Sequence, residues 1–146
     1  MQITEHFSLE EMTFSEAALR NGWDNTPNAH QFSNLTRTAE LLEKVRGILN
    51  APIIVNSAFR NQQVNAAVGG KSTSQHRNGC AADIKVHGMT PDQVCMKILQ
   101  SGILFDQLIR EFNSWTHISV PEEQDGIWRK QALIIDSTGT RPFIWK

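Results

Sequence analysis

Three residues, His76, Asp83 and His117, combine two imidazoles with one carboxylate. This ligand set holds catalytic zinc ions and leaves a fourth position for water. Asp83 and His117 each fall in a segment predicted to be a strand, and Gly79 lies where a small residue lets the chain turn back. The spacing alone leaves a second interpretation open, in which His76 is a loop surface residue, Asp83 a strand-end cap and His117 a half-buried strand residue.

Two further residues would complete such a site. Glu111 carries a carboxylate that can accept a proton from water beside the zinc ion and pass it to a leaving amine. Arg60 has a planar guanidinium that suits a peptide carboxylate or a developing oxyanion. Trp115 precedes His117 by two residues, so both side chains should lie on one face of a strand. Trp115 is therefore a candidate wall of a substrate cleft.

Other side chains of these types have simpler interpretations. Asp106 and Asp125 are rival carboxylates, and Asp106 becomes the candidate base if Glu111 points into the core. We expect the remaining histidines to be solvated rather than ligands: His6, His30 and His87. The tryptophans could line a sugar-binding face, although packing is the favoured interpretation; they lie at positions 23, 115, 128 and 145.

The composition excludes several classes of protein. In 146 residues, 14 Lys and Arg oppose 15 Asp and Glu, a formal net charge of −1, so nucleic acid and anionic lipid are not expected partners. No apolar run approaches the roughly 18 residues of a membrane span, and Met1–His6 does not resemble a signal peptide. We expect one domain over residues 1–146, synthesised in the cytoplasm, with Cys80 and Cys95 as reduced, buried thiols.

Helix signals dominate the first half of the chain. Ser8-x-x-Glu11 and Thr13-x-x-Glu16 match capping boxes and predict two short helices, the second ending near Asn21-Gly22. An apolar stripe predicts a long helix from His30 to Leu49, to which no chemistry is assigned. Two more helices are predicted, over 62–68 and from Thr90-Pro91 to Gly102.

Strand signals dominate the last third. Strands are predicted at 53–59, 81–86, 106–112, 115–120, 131–135 and 141–145. The segments 121–126 and 136–139 have the composition of hairpin connections. Because helices come first and strands later, the predicted class is α+β with an antiparallel sheet.

The segment from Ser74 to Asp83 also carries a family pattern. It matches Ser-x-His-x-x-Gly-x-Ala-x-Asp at every fixed position, and this pattern resembles the hallmark of the zinc D-Ala-D-Ala carboxypeptidase family, peptidase M15. Similarity continues in 7–12, 56–60, 64–70 and Trp115-Thr116-His117, which together span most of the chain. The chain looks most like the small subgroup found in phages and bacteria.

The resemblance implies a Hedgehog/DD-peptidase fold, with a central antiparallel sheet and N-terminal helices packed on it. It also implies one zinc ion, ligated by His76, Asp83 and His117. Arg60 matches the arginine that binds substrate or stabilises the transition state. Ser74 matches a serine that supports the site or hydrogen-bonds the substrate.

One position departs from the family pattern. Many members carry the catalytic acid three residues before the last histidine, and here that residue is Ser114, which cannot act as a base. Glu111 lies six residues before His117, an offset similar to that of Hedgehog-like and small M15 members. We therefore predict Glu111 as the general base.

The expected function is that of a zinc metallopeptidase acting on an amide bond of peptidoglycan stem peptides. The bond is D-Ala-D-Ala in a carboxypeptidase or L-Ala-D-Glu in an endopeptidase, and the motifs do not distinguish them. We expect a monomer. By analogy with the family, it would act on the cell wall once released, as a phage endolysin or a bacterial murein peptidase. The alternatives are a non-catalytic zinc-containing binding module of the Hedgehog type and a structural domain of a phage tail.

Overall fold

The computed structural model describes residues 1–144, and over these residues helices and strands combine into an α+β fold, as predicted. The elements are α1 (Leu9–Thr13), α2 (Glu16–Asn21), α3 (Ala29–Leu49), β1 (Ile54–Ser57), α4 (Gln62–Ala67), β2 (Ala81–Lys85), α5 (Pro91–Ser101), β3 (Gln107–Glu111), β4 (Trp115–Ser119), β5 (Gln131–Asp136) and β6 (Gly139–Pro142). A 3₁₀ turn over Gln75–Asn78 precedes β2. The predicted last strand ran to Trp145, which lies outside the described residues.

Hydrogen-bonding caps set the helix ends near the N-terminus. Ser8 and Glu11 form the predicted capping box of α1, with the Ser8 hydroxyl accepting from the Glu11 backbone N–H at 3.0 Å. The second predicted box is wrong, because Ser15 and not Thr13 caps α2. Thr13 is instead the last residue of α1, and its hydroxyl donates to the Leu9 carbonyl within that helix. A threonine at this position can either cap the following helix or end the preceding one, so the Thr13-x-x-Glu16 spacing alone did not distinguish the two.

The strand order is β1-β2-β4-β3-β5-β6. All neighbours are antiparallel except β3 and β5, which are parallel. The predicted antiparallel pairing therefore holds for four of the five strand pairs in residues 1–144 and fails for β3–β5. The hairpin predicted at 121–126 is wrong, because β4 and β5 are not neighbours. The loop over 121–130 leads from β4 across β3 to β5, which pairs with the other edge of β3. The 136–139 connection is the predicted hairpin between β5 and β6.

The two faces of the sheet have different surroundings. Alternate residues on one face, such as Ala82, Ile84 and Ile118, are at most 1% exposed and form the core with α3 and α5. The other face carries Asp83 and His117, which lie one residue out of phase with that set. The sheet is therefore packed on one side and open to a cleft on the other. Among residues 1–144, no helix has both the length and the apolar composition that crossing a membrane requires.

The two cysteines are free and buried, as predicted. Burial raises the pKa of the Cys80 thiol to about 11 and that of the Cys95 thiol to about 12. Both side chains therefore stay protonated at neutral pH and pack as small apolar groups.

The turn over Gln75–Gly79, called here the 75–79 turn, is fixed to the long helix α3. The amide of Asn34 donates to the Asn78 carbonyl at 2.9 Å, and the hydroxyl of Thr38 donates to the Gly79 carbonyl at 2.7 Å. Gly79 itself has φ of +81°. A Cβ at this glycine would lie 2.5 Å from the Gln31 carbonyl oxygen of α3. The close approach of the turn to the helix therefore requires glycine.

We predict that Gly79→Ala lowers the free energy of unfolding by about 3 kcal/mol or more, because strain at positive φ adds to a backbone clash. Gly88→Ala is the matched control, since Gly88 has a similar φ of +82° and nothing within 4 Å of its added Cβ. We expect that control to cost about 1 kcal/mol. Urea unfolding of both variants measures the difference, and equal losses would show that the contact with α3 is unimportant.

Candidate metal centre and cleft

Asp83 and His117 lie directly opposite each other on the paired strands β2 and β4. Their side chains share the open face of the sheet, and His117 Nδ1 is 3.0 Å from Asp83 Oδ1. Burial raises the pKa of Asp83, but the adjacent imidazoles of His76 and His117 outweigh it and hold that pKa well below its ordinary value. The carboxylate is therefore ionised, as a metal ligand must be.

His76 enters from the 75–79 turn and is only 3% exposed. Its Nδ1 lies 2.6 Å from the carbonyl oxygen of Ala58. A carbonyl can only accept a hydrogen bond, so Nδ1 carries the proton and Nε2 of the neutral ring keeps its lone pair. That Nε2 lies 3.3 Å from Asp83 Oδ1. The backbone of Ala58 thus orients the imidazole, as hydrogen-bond partners of metal ligands commonly do.

The donor atoms of His76, Asp83 and His117 all lie within 4.8 Å of one another. Ligand atoms about 2.1 Å from a tetrahedral zinc ion are about 3.4 Å apart. The two distances to Asp83, 3.3 and 3.0 Å, are close to that value. Two imidazoles and one carboxylate also match the donor chemistry of catalytic zinc sites. The residues present therefore fit a zinc ion.

Glu111, at the end of β3, points into the cleft beside this group. Its Oε1 lies 3.8 Å from His117 Nδ1, and its Oε2 accepts a hydrogen bond of 3.1 Å from the indole N–H of Trp115. Burial, followed by the negative charge of Asp83, raises the pKa of Glu111. A raised pKa moves a carboxylate towards the range in which it can both accept and release a proton.

Arg60 and Ser74 lie on the β1 side of the metal-ligand group. An Arg60 Nη2 atom is 3.5 Å from the Ser74 hydroxyl, at the limit of a hydrogen bond. The same hydroxyl accepts from the backbone N–H of His76 at 3.2 Å, so Ser74 caps the 75–79 turn. Among residues 1–144, the buried Nε of Arg60 has no hydrogen-bond partner. The guanidinium therefore retains donor capacity next to Asp83 and Glu111.

These side chains line one cleft of about 1080 Å³. The cleft runs from the segment 68–71, past the metal-ligand group, to Thr140 on β6. Trp115 and His117 both face it, as the two-residue spacing predicts. All seven residues proposed from the sequence for the site lie together here: Arg60, Ser74, His76, Asp83, Glu111, Trp115 and His117.

Asp106, the rival base, has a different environment. It is 3% exposed, and Arg129 holds both of its carboxylate oxygens, at 2.9 and 2.6 Å. The amide of Gln75 donates to Oδ2 at 2.8 Å. Glu111 points into the cleft and lies five residues further along β3, about 17 Å away at the rise of an extended strand. Asp106 is therefore an ion-paired anchor beside the 75–79 turn, whereas Glu111 lies beside the candidate metal ligands, with Oε1 3.8 Å from His117 Nδ1.

Sequence reasoning missed the residues that hold the turn. Asn34 and Thr38 are polar and lie on the buried side of α3, with 3% and 0% exposure. Two polar residues one helical turn apart on an apolar stripe were the available signal. No sequence signal marked the contact of Ala58 with His76, because that contact is made by a backbone carbonyl. Gln75 also carried no signal, since its partner Asp106 is remote in the sequence.

The remaining candidates lie away from the centre. His30, His87 and Asp125 are exposed, and His6 is paired with Glu43 at 2.7 Å. Among the tryptophans in the described residues, only Trp115 lines the cleft. Trp145 lies outside them.

We predict that Asp106→Asn lowers the free energy of unfolding at pH 7 by about 1–2 kcal/mol, because the charge-assisted hydrogen bonds of Arg129 weaken. Burial raises the pKa of Asp106, but its hydrogen bonds with Arg129 dominate and lower it. The charge of Asp106 therefore contributes fully to the free energy of unfolding above the ordinary aspartate pKa of about 3.9. This contribution is lost as the pH falls towards the lower folded-state pKa. Urea unfolding at pH 7 and pH 3 should show the variant and the wild type converging at the acidic pH.

Asp92→Asn is the control for this prediction, because Asp92 pairs with Arg110 at 2.9 Å but its side chain is 52% exposed. That variant should lose less than about 1 kcal/mol. A pH-independent loss in Asp106→Asn would contradict an ionic role for the anchor.

Comparison with known proteins agrees with this geometry. A search of curated proteins finds no significant match. The family described as peptidase M15 matches residues 5–119, which include every residue of the proposed site. Peptidases of this family are zinc-dependent, which agrees with the His76, Asp83 and His117 donor set. Since the match covers well over half of the sequence, the chain belongs to the peptidase M15 family.

Proposed function

We propose that the protein is a zinc-dependent peptidase that hydrolyses an amide bond in the stem peptides of peptidoglycan. One observation carries this proposal: the donor atoms of His76, Asp83 and His117 converge within 4.8 Å in a cleft, with the Glu111 carboxylate 3.8 Å from His117. A metal-ligand group without a neighbouring base would support binding alone. Here both parts of a hydrolytic centre lie together.

His76, Asp83 and His117 would hold the zinc ion. When bound, zinc polarises the scissile carbonyl and lowers the pKa of an adjacent water molecule. The chain arranges its own ligands for this in advance, since Ala58 fixes the His76 ring and the β2–β4 pairing fixes the other two side chains.

Glu111 is the general base in this proposal. Its carboxylate takes the proton of the attacking water as the oxygen adds to the carbonyl carbon. It then gives that proton to the amide nitrogen as the C–N bond breaks, so the products are an amine and a carboxylic acid, which loses its remaining proton to solvent. The indole N–H of Trp115 donates to Oε2 of Glu111, and the other oxygen, Oε1, faces His117. Trp115 therefore orients Glu111 and forms a wall for the substrate.

Arg60 supplies positive charge on the opposite side of the ligands. Its free donor capacity suits the developing oxyanion or a carboxylate of the substrate. Ser74 supports both parts, because its hydroxyl contacts Arg60 and the backbone of His76.

The finer assignments rest on the family resemblance. They are a Hedgehog/DD-peptidase fold, peptidoglycan as substrate and a setting as a phage endolysin or bacterial murein peptidase. The non-catalytic Hedgehog-type module is the competing function, and the retained Glu111 in the cleft argues against it.

Digestion of purified peptidoglycan, with and without a chelator, tests the proposal. We expect wall peptides to be cleaved only in the chelator-free sample, and mass spectrometry of the products to identify the bond. Stoichiometric zinc without any cleavage would instead support the binding module.

We predict that His76→Ala or Asp83→Ala reduces zinc affinity by at least 100-fold, because each removes one of three protein ligands. Titration against a chromophoric chelator measures this affinity. His30→Ala is the control, since His30 is exposed and remote from the cleft. Unchanged zinc affinity in the ligand variants would refute the assignment of the site.

We predict that Glu111→Gln keeps zinc affinity within about threefold and lowers kcat by about 10²–10⁴-fold, because the amide cannot accept the proton. Glu40→Gln makes the same chemical change at an exposed position of α3 and should retain full activity. Rates of peptide release from peptidoglycan measure the effect. Full activity of Glu111→Gln would assign the base elsewhere.

A further inference from the structure

The cleft continues across the sheet beyond the metal-ligand group. Strand register places Asp83, His117, Ile109 and Leu133 opposite one another in a single row over β2, β4, β3 and β5. Neighbouring strands are about 4.8 Å apart, so Leu133 lies about 10 Å from His117 across the sheet. The row therefore begins with metal ligands and continues with aliphatic side chains.

A second row runs beside the first. It contains Trp115, Glu111, Ile135 and Thr140, in register over β4, β3, β5 and β6. Ile135 is thus the direct neighbour of Glu111 on the cleft face. Together, Ile109, Leu133 and Ile135 make the floor of the cleft apolar immediately beyond the proposed base.

Two exposed apolar side chains border this floor. Ile127, on the 121–130 loop, is 86% exposed, and Phe112, after β3, is 54% exposed. Phe112 has φ of 53° and Asn113 has φ of 51°, a left-handed conformation that is unfavourable for a bulky residue such as Phe. The Phe112 backbone N–H donates to the Ile135 carbonyl at 2.8 Å, which helps to hold the turn. Such strain is commonly kept at sites with a function.

Charge is distributed unevenly along the cleft. On the β1 side of the ligands lie Arg60 and Lys71, both cationic. On the β5 side, the floor strands β5 and β6 place no charged side chain in the cleft. At the rim, Arg129 is neutralised by Asp106, and the 121–130 loop adds the acidic Glu122 and Glu123. A peptide lying across the strands would therefore meet positive charge on one side of its scissile bond and an apolar surface on the other.

The apolar part is built largely outside the family match. The match ends at residue 119, whereas Ile127, Leu133 and Ile135 all follow it. The metal ligands and Glu111 belong to the matched segment. The later segment therefore adds a substrate-facing surface to a shared catalytic centre.

We propose that Ile109, Leu133 and Ile135, bordered by Ile127 and Phe112, form a specificity subsite for uncharged, aliphatic residues of the peptide substrate. The inference rests on the proposed function and concerns the side of the scissile bond away from Arg60. Because an extended peptide rises about 3.3 Å per residue, the 10 Å span to Leu133 corresponds to about three residues. The subsite therefore selects substrates that continue for about three residues on that side.

Synthetic peptides containing the cleaved bond test this subsite. They are extended by zero or three alanines, or by three aspartates, first at one end and then at the other. The double variant Leu133→Thr/Ile135→Thr should raise KM about tenfold for peptides with the alanine extension at the end that occupies the subsite. Its kcat should stay within about twofold of the wild-type value. Peptides without that extension should show no change in KM. Threonine keeps the β-branched character of Ile135, and as a β-branched residue it also suits the strand at position 133.

Matched variants separate the subsite from a loss of folding. Ile54→Thr makes the same change as Ile135→Thr, at a 53% exposed position on β1 outside the cleft, and should leave KM unchanged. Ile127→Ser alters the subsite at an 86% exposed side chain, where folding is not at risk, and should raise KM for the alanine-extended peptides only. Zinc affinity should remain at the wild-type value in all of these variants.

Calorimetry with zinc-loaded Glu111→Gln gives a readout that does not depend on turnover. Binding of the alanine-extended peptides that weakens about tenfold when Ile127→Ser is added would support the subsite, even if the wild-type protein hydrolysed none of them and the peptidase proposal failed. Equal effects on extended and unextended peptides, or equal affinity for alanine and aspartate extensions, would overturn the subsite while leaving the peptidase proposal intact.

Discussion

The register between β2 and β4 is the constraint on which the centre depends. It places Asp83 opposite His117, with both side chains on the open face. Because side chains alternate along a strand, a slip of one residue would move the carboxylate into the core and expose Ala82 or Ile84. The apolar packing of those neighbours, at most 1% exposed, therefore specifies the position of the proposed metal ligands as well as the fold. The register of β2 and β4 thus determines both the packing of the core face and the arrangement of the cleft face.

The position of the third proposed ligand, His76, depends on the helical layer. His76 belongs to a turn whose carbonyls accept hydrogen bonds from Asn34 and Thr38 of α3, and Gly79 permits its approach to that helix. Strand pairing alone would bring only Asp83 and His117 together. The long helix therefore acts on the site through hydrogen bonds from its side chains to the backbone of the turn, although no α3 residue lines the cleft.

The sequence predicted much of the helix layout and the identity of the side chains in the cleft. Local signals were sufficient for these, since caps such as Ser8 depend on neighbouring residues and the motif from Ser74 to Asp83 is contiguous. Strand neighbours were not predictable in the same way, because β5 pairs in parallel with β3 through a loop whose composition is that of a hairpin. The role of Asp106 also required the fold, since Arg129 and Gln75 reach it from distant parts of the chain.

The protonated state of the cysteines has a consequence for metal selectivity. Cys80 lies between two proposed ligands in the sequence, yet its thiol has a pKa of about 11 and is buried on the helix side. Soft ions such as Cu(I) are captured by thiolates, and the centre offers them only imidazole and carboxylate donors. The same burial slows oxidation, since sulfur reacts with peroxides as the thiolate. Because the proposed donor set contains no sulfur, thiol oxidation does not remove one of its ligands, as it would in a cysteine-ligated site.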